Sequence, residues 1–504
     1  MPSRRKCPVL LLVGACLAGF PAGAEPDRGP VVKVEQGLVS GARSDQIAIF
    51  KGIPYAAPPV ENLRWRPPQP ATLWSGIRPA VTFGAACLQP TGAANFGGDP
   101  GPVSEDCLTL NVWAPQRARN APVMVWVHGG GHRFGSSSQP YYDGAAFARD
   151  GVVFISLNYR LAGLGFFAHP ALTKEAGAKT PLGNYGLMDQ MAALRWVRRN
   201  AAAFGGDPRN VTIVGESSSA VDVQALMAIP TAGGLFQKAI IESSCDWDEP
   251  VTLTQREAEG VKLASKAGAS GADVDPAALR ALPGTAFLDP GFDVEFAPFP
   301  DGRLLTGTVT QAFADGRTPP IPMILGSNSY EGAIAQNLDA LRPLARDVPA
   351  LYPDQGQSEL ALRLLDTDRF FGAPCRWIAG ENARRSPTFL YRFSYLPRAL
   401  KSLMPGAPHG SELPYVFDDL GSFFPSASPP TPDDEAVAER LHCCWESFAK
   451  TGRPTCPRAP AWPLYSHRTD QLMDFDDVAT VRGHVRSAQY DALDRLVLPS
   501  LLRR

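Results

Sequence analysis

Four short runs of β-forming residues punctuate the chain: 123–127 (VMVWV), 152–157 (VVFISL), 211–214 (VTIV) and 323–325 (MIL). Each is almost wholly apolar and of strand length, the pattern of a strand covered on both faces. Between the second and third runs, Leu187, Met191, Leu194, Trp196 and Val197 fall near helical spacing over 187–203. Gly205-Gly206-Asp207-Pro208 then predicts a turn into the third strand. Strand, helix, strand in this order predicts an α/β fold, with a large, mostly parallel central sheet flanked by helices. The Ala- and Glu-bearing segment 251–293 predicts a helical insertion over that sheet. No repeat or long polar linker divides the chain, and its 49 Pro and 47 Gly are scattered without period, as in many ordered turns. One unit over 25–504 is the expectation.

The chemistry falls at the ends of those strands. Gly215-Glu216-Ser217-Ser218-Ser219 follows the third run directly and leads into a helix-compatible stretch at 220–227. A tight strand-to-helix turn of the G-x-S-x-G type exposes its central serine as a nucleophile. Gly215 meets the steric demand, while Ser219 stands where glycine is usual. His128-Gly129-Gly130-Gly131 closes the first run. Glycines let backbone N–H groups converge on one point, as acyl transfer needs for a developing oxyanion. Gly130, Gly131 and Ser218 are the candidate donors; the alternative is a flexible glycine loop. A serine nucleophile needs a base, and the base an orienting acid, in the chain order Ser, acid, His for this architecture. His409, His442, His467 and His484 lie well beyond Ser217. His409 sits in a Pro/Gly loop fit to present an imidazole. His442 lies in a helical stretch and reads as packed, and the last two read as surface. Glu331, just past the fourth strand, is the acid candidate through the order 217, 331, 409. Trp247 is a candidate for the acyl pocket, or an ordinary core tryptophan.

Lys and Arg total 48 against 50 Asp and Glu, so no basic excess supports nucleic-acid binding. The N-terminus carries Arg4, Arg5 and Lys6, then an uncharged apolar stretch, then Ala22-Gly23-Ala24. This predicts a cleaved secretory signal over 1–24. Val13-Gly14-Ala15-Cys16 also fits a weak lipobox, which would tether the protein through Cys16. Cleavage removes three positive charges and leaves 45 basic residues against 50 acidic, a net charge of −5. No later stretch is apolar enough to span a membrane. Of nine cysteines, seven remain after cleavage, an odd number in a compartment that permits disulfides. No Cys/His spacing suits zinc, and no metal or cofactor is expected. Cys87 and Cys107 bracket a Gly/Pro-rich loop, Cys456 has Cys443 or Cys444 within reach, and Cys245 and Cys375 have no assigned partner.

Several longer motifs resemble the type B carboxylesterases, the cholinesterase-like branch of the α/β-hydrolases. They are FKGIPYAAPP at 50–59 with LRWRPP at 63–68, SEDCLTLNV at 104–112, NYRL at 158–161, GNYGLMDQ at 183–190, FGGDP at 204–208 and HGSELPYVF at 409–417. The resemblance spans about residues 31–498. It implies Ser217 as nucleophile, Glu331 as acid and His409 as base, with an oxyanion hole of Gly130, Gly131 and Ser218. It further implies a Cys87–Cys107 bridge and a serine, Ser243, that supports the acid. Small-molecule ester substrates and water are the implied partners. The chain departs from the family pattern at Ser218-Ser219, where Ala-Gly is usual, at Ser244 in place of Gly, and at Tyr330 in place of Asp. Cholinesterases carry a Trp in the first disulfide loop for cation–π capture. Residues 88–106 here hold no Trp, only Phe96, which argues against choline esters. Short- to medium-chain or bulky-alcohol esters are the expectation, with a long-chain lipase or a retired binding member of the fold as alternatives.

Overall fold

The computed structural model describes residues 29–90, 99–245, 247, 251–289, 291, 293–423, 429–456 and 458–502. The leader, Cys7, Cys16 and Phe96 lie outside the described residues.

The central sheet has eleven strands: β1 (Ala42–Ser44), β2 (Ile47–Pro54), β3 (Thr109–Pro115), β4 (Ala121–Val127), β5 (Val153–Leu157), β6 (Gly206–Glu216), β7 (Lys238–Glu242), β8 (Met323–Asn328), β9 (Thr388–Phe393), β10 (Gln471–Phe475) and β11 (Thr480–Gly483). Their spatial order is β11-β10-β9-β8-β7-β6-β4-β5-β3-β2-β1. The run from β10 to β5 is parallel throughout, and the pairings outside it are antiparallel. A mostly parallel sheet needs both faces covered. Side chains therefore alternate between two cores. Val123, Val125 and Val127 of β4 join one core, while Met124 and Trp126 join the other. Helices α1 (Tyr185–Asn200) and α2 (Ser218–Ala228) build the first core through Leu187, Met191, Leu194, Trp196, Val223 and Leu226. On the far face lies the long α6 (Pro432–Thr451), with Leu441, Cys444, Trp445 and Phe448. Three of the helices between them are α3 (Leu253–Lys266), α4 (Glu359–Thr367) and α5 (Ala373–Ala383).

Two expected boundaries shift. Only Gly205 turns (φ 82°); β6 already starts at Gly206, which pairs with Ala121, and the register slips before Val211. Asp207-Pro208-Arg209-Asn210 is thus a bulge inside a strand, a place where proline is tolerated because no ladder N–H is required of it. Likewise β8 runs on past the 323–325 run through Gly326-Ser327-Asn328 beside β9. The insertion is helical as expected. Gly260 of α3 packs so closely on Ala168 that a Cβ would lie 1.7 Å from its carbonyl oxygen.

Three disulfides join Cys87 to Cys107, Cys245 to Cys375 and Cys444 to Cys456; Cys443 is a free thiol. The first loop is also locked by Arg64, whose guanidinium donates to both Glu105 oxygens (2.6 and 2.7 Å) and to the carbonyls of Arg280 and Leu282. Two of the sequence motifs thereby grip the insertion. The NYRL and GNYGLMDQ motifs meet in a buried Arg160–Asp189 pair, two N–H···O contacts of 2.7 Å each.

Candidate active site

β6 ends at Glu216 and α2 begins at Ser218, so Ser217 occupies the turn between them with φ 59° and ψ −129°. That is strained backbone for a residue bearing a Cβ, and strain of this kind concentrates at functional positions. A Cβ on Gly215 would stand 2.4 Å from the Ser219 carbonyl oxygen, which fixes glycine there. The Ser219 side chain is buried, and its hydroxyl accepts from the Glu216 N–H (3.0 Å) and lies 2.7 Å from the Val127 carbonyl. The hydroxyl that departs from the family pattern therefore ties the turn to the end of β4.

β8 delivers the acid and a neighbouring loop the base. Tyr330 N–H donates to the Ala407 carbonyl (2.9 Å), and Tyr330 bridges to Pro408, so Glu331 and His409 enter side by side. Ser217 Oγ lies 2.8 Å from His409 Nε2, and His409 Nδ1 lies 2.6 Å from Glu331 Oε2. Glu331 is fully buried, and its other oxygen accepts from the Asn328 N–H at 2.6 Å. A carboxylate so held is an acceptor, which places the proton on Nδ1 and leaves Nε2 free to accept from the serine. His442 is packed, 2.8 Å from the Val416 carbonyl, whereas His467 and His484 are exposed.

Three carboxyls near the site escaped the sequence reading. Glu216 Oε1 lies 3.3 Å from His409 Nε2. Glu412 accepts from Ser243 Oγ (2.6 Å) and from the Asn328 amide. Glu242 accepts from Trp445 Nε1 (2.8 Å). All are buried with Glu331. Burial, then mutual repulsion, pushes the Glu216, Glu242 and Glu412 carboxyls above the usual carboxylate range. Burial opposes a charge on His409, but Glu331 and Glu216 outweigh it and raise the imidazole above its ordinary value. Glu216 and Glu412 stood in plain view within GESSS and HGSELPY; only their convergence on one histidine was hidden. Ser243 Oγ donates to Glu412, and Asn328 links Glu412 to Glu331 through its side-chain amide and its backbone N–H.

The glycine loop runs beside the nucleophile turn. Gly130 (φ 112°) has Phe134 O where a Cβ would go, at 2.0 Å, while Gly131 (φ 62°) faces open space. Ser218 opens α2, where a backbone N–H has no intrahelical acceptor. Gly131 and Ser218 both line a cavity of about 360 Å³, together with His132, Arg133, Val221 and Phe296. This cavity shares Val221, Glu295 and Ala297 with a second of about 350 Å³ that reaches Phe299, Arg369 and Phe370. The two adjoin along the segment 294–300 that follows the insertion. His132 anchors that segment, with Nδ1 2.9 Å from the Phe296 carbonyl and Nε2 2.9 Å from Asp222 of α2. Trp247 is buried in the first core against Trp377 (6.2 Å), and its carbonyl accepts from Arg369.

Known proteins share this sequence pattern and fold. The Carboxylesterase family model matches residues 28–348 and 349–493. The chain is 34% identical to the para-nitrobenzyl esterase of Bacillus subtilis (strain 168), over 92% of this chain and 98% of that protein. It is 35% identical to the fumonisin B1 esterase of Sphingopyxis macrogoltabida, over 90% and 88%. A solved PNB esterase superposes with a TM-score of 0.81 at 32% identity, covering 92% of this chain and 99% of that one. By family model, by relatives along nine-tenths of its length and by fold, the chain belongs to the carboxylesterase family and is a carboxylic ester hydrolase.

Proposed function

We propose that the protein hydrolyses esters by two-step acyl transfer through Ser217. The observation that carries this reading is the Ser217–His409–Glu331 relay, at 2.8 and 2.6 Å, on a strained strand-to-helix turn. His409 takes the serine proton as Oγ attacks the ester carbonyl. Glu331 holds the imidazole tautomer and offsets the charge of the imidazolium. The N–H groups of Gly130, Gly131 and Ser218 receive the oxyanion, each donor contributing roughly 3 kcal/mol. His409 then protonates the leaving alcohol, and water repeats the sequence on the acyl-enzyme. Glu216, 3.3 Å from Nε2, supports the imidazolium formed in both steps.

The substrates we infer are short- to medium-chain esters or esters of bulky alcohols. The divided cleft and relatives named for p-nitrobenzyl esters and fumonisin B1 support this. The absence of Trp from 88–106 argues against choline esters. We place the mature enzyme, 25–504 as one catalytic unit, outside the cytoplasm after cleavage of 1–24. Three disulfides suit an oxidising compartment, and no described helix is long and apolar enough to cross a membrane. The test is hydrolysis of p-nitrophenyl esters from C2 to C12 by wild type and Ser217→Ala. A short-chain optimum that falls at least ~10⁴-fold in the variant is expected. Wild-type turnover in the variant would remove Ser217 from the mechanism, and activity that climbs with chain length past the solubility limit would favour an interfacial lipase.

A further inference from the structure

A cavity of about 400 Å³ shares no lining residue with the cleft beside Gly131 and Ser218. Its wall is mostly apolar, built from Pro67, Pro68, Pro70, Met188 and Met191, and one cation, Arg195, lies on it half-buried. The other charged groups of the wall are already engaged. Arg199 donates to both oxygens of Glu35 (2.5 and 2.8 Å). Gln36 donates to Glu35 and accepts from Trp196 Nε1 (3.0 Å). Arg195 donates to no acceptor among the described residues. Burial, and the like charge of Arg199 one turn on, depress its pKa. A half-buried guanidinium with no counter-charge, beside a like charge, is an unsatisfied cation. The group that complements it is an anion.

The volume and apolar wall suit a small amphiphile. We propose that this cavity is a second binding site, for an aliphatic monocarboxylate whose chain lies on the Pro67, Pro68, Pro70, Met188 and Met191 surface and whose carboxylate pairs with Arg195. The ligand has the chemistry of the acid half of an ester, yet the site stands whether or not Ser217 is the nucleophile.

The test uses the intact protein and [¹⁴C]octanoate in equilibrium dialysis, with octanoate inhibition of p-nitrophenyl acetate hydrolysis read in parallel to follow the cleft. Arg195→Gln is expected to lose one equivalent of bound octanoate, or to bind it at least tenfold more weakly. Its ester turnover and inhibition by octanoate should match wild type. Octan-1-ol, the same chain without the charge, should bind at least tenfold more weakly than octanoate. Ala192→Phe, which fills the cavity and leaves Arg195 in place, should also lose the equivalent, so the result does not hang on one variant. The proposal is overturned if wild type binds octanoate only at the inhibitory site, if both variants keep the full stoichiometry, or if octan-1-ol binds as well as octanoate.

Discussion

Ser219 carries a hydroxyl into a turn where glycine is usual, and the hydroxyl is fully employed between the Glu216 N–H and the Val127 carbonyl. Restoring the usual residue should therefore harm the protein. Ser219→Gly leaves a buried donor and a buried acceptor without partners, at a cost of about 1–3 kcal/mol. The expected outcome is a lower denaturant midpoint with turnover within about threefold of wild type; an unchanged midpoint would show the hydroxyl to be idle. Glu216 governs pH dependence. His409 must be neutral to take the serine proton, and the carboxylates around it raise its pKa. Activity is then lost as pH falls through that raised value, so the acid limb of kcat/KM lies above the ordinary imidazole pKa of ~6.5. Glu216→Gln removes a carboxyl 3.3 Å from Nε2 that is charged wherever the pH lies above its own raised pKa. The limb should move down by about one unit, with kcat at the plateau reduced because the imidazolium loses support. A limb that stays in place would mean that Glu216 is neutral throughout the working range.

Turns and loops show how much an element leaves unsaid in its sequence. The glycine loop was legible because three successive glycines after a strand have few other uses, yet the residues are not equivalent. A methyl on Gly130 would lie 2.0 Å from the Phe134 carbonyl, whereas one on Gly131 meets nothing within 4 Å. Gly130→Ala must displace the loop and should cut kcat on p-nitrophenyl acetate at least ~100-fold, the scale of a lost oxyanion donor. Gly131→Ala incurs only the left-handed backbone cost of about 1–2 kcal/mol and should keep measurable turnover; equal losses would argue against this asymmetry. Runs of buried β-formers located β4, β5, β6 and β8, while β7 had no run assigned to it. The bulge at 207–210 stayed hidden because Gly-Asp-Pro is turn chemistry locally, and only pairing with Ala121 makes Gly206 a strand residue. The His132–Asp222 contact and the Ser243–Glu412 contact were likewise invisible, since 90 and 169 residues separate the partners.

Across the whole molecule, covalent closure follows the same division between local and long-range information. The Cys87–Cys107 loop had composition and family resemblance behind it, and Cys456 had Cys443 or Cys444 within about two helical turns and a short loop. Cys245 and Cys375 had no sequence signal, because their meeting depends on α5 packing beside β8; Cys375 Sγ lies 3.8 Å from the Gly326 carbonyl. That least legible bridge should matter most. It closes 130 residues, against 20 and 12 for the others. In the chain-entropy view the constraint on the unfolded state grows with the logarithm of loop length, giving about 5 kcal/mol for the longest loop and about 3 kcal/mol for each shorter one. Both cysteines are also buried, at 3% and 1% exposure, so truncation adds a packing loss. Paired Cys→Ala variants of each bridge, compared by denaturant unfolding, should therefore rank Cys245/Cys375 as the most destabilised. The bridge also links the strand end that carries Ser243 to the helix following the Phe371 segment, which packs on His409 at 5.4 Å. Its loss should accordingly lower kcat before it unfolds the protein, while the Cys444/Cys456 variant keeps kcat at temperatures where it remains folded. If the three double variants lose equal stability, strain or residual structure in the unfolded chain, not loop length, sets the contribution of each bridge.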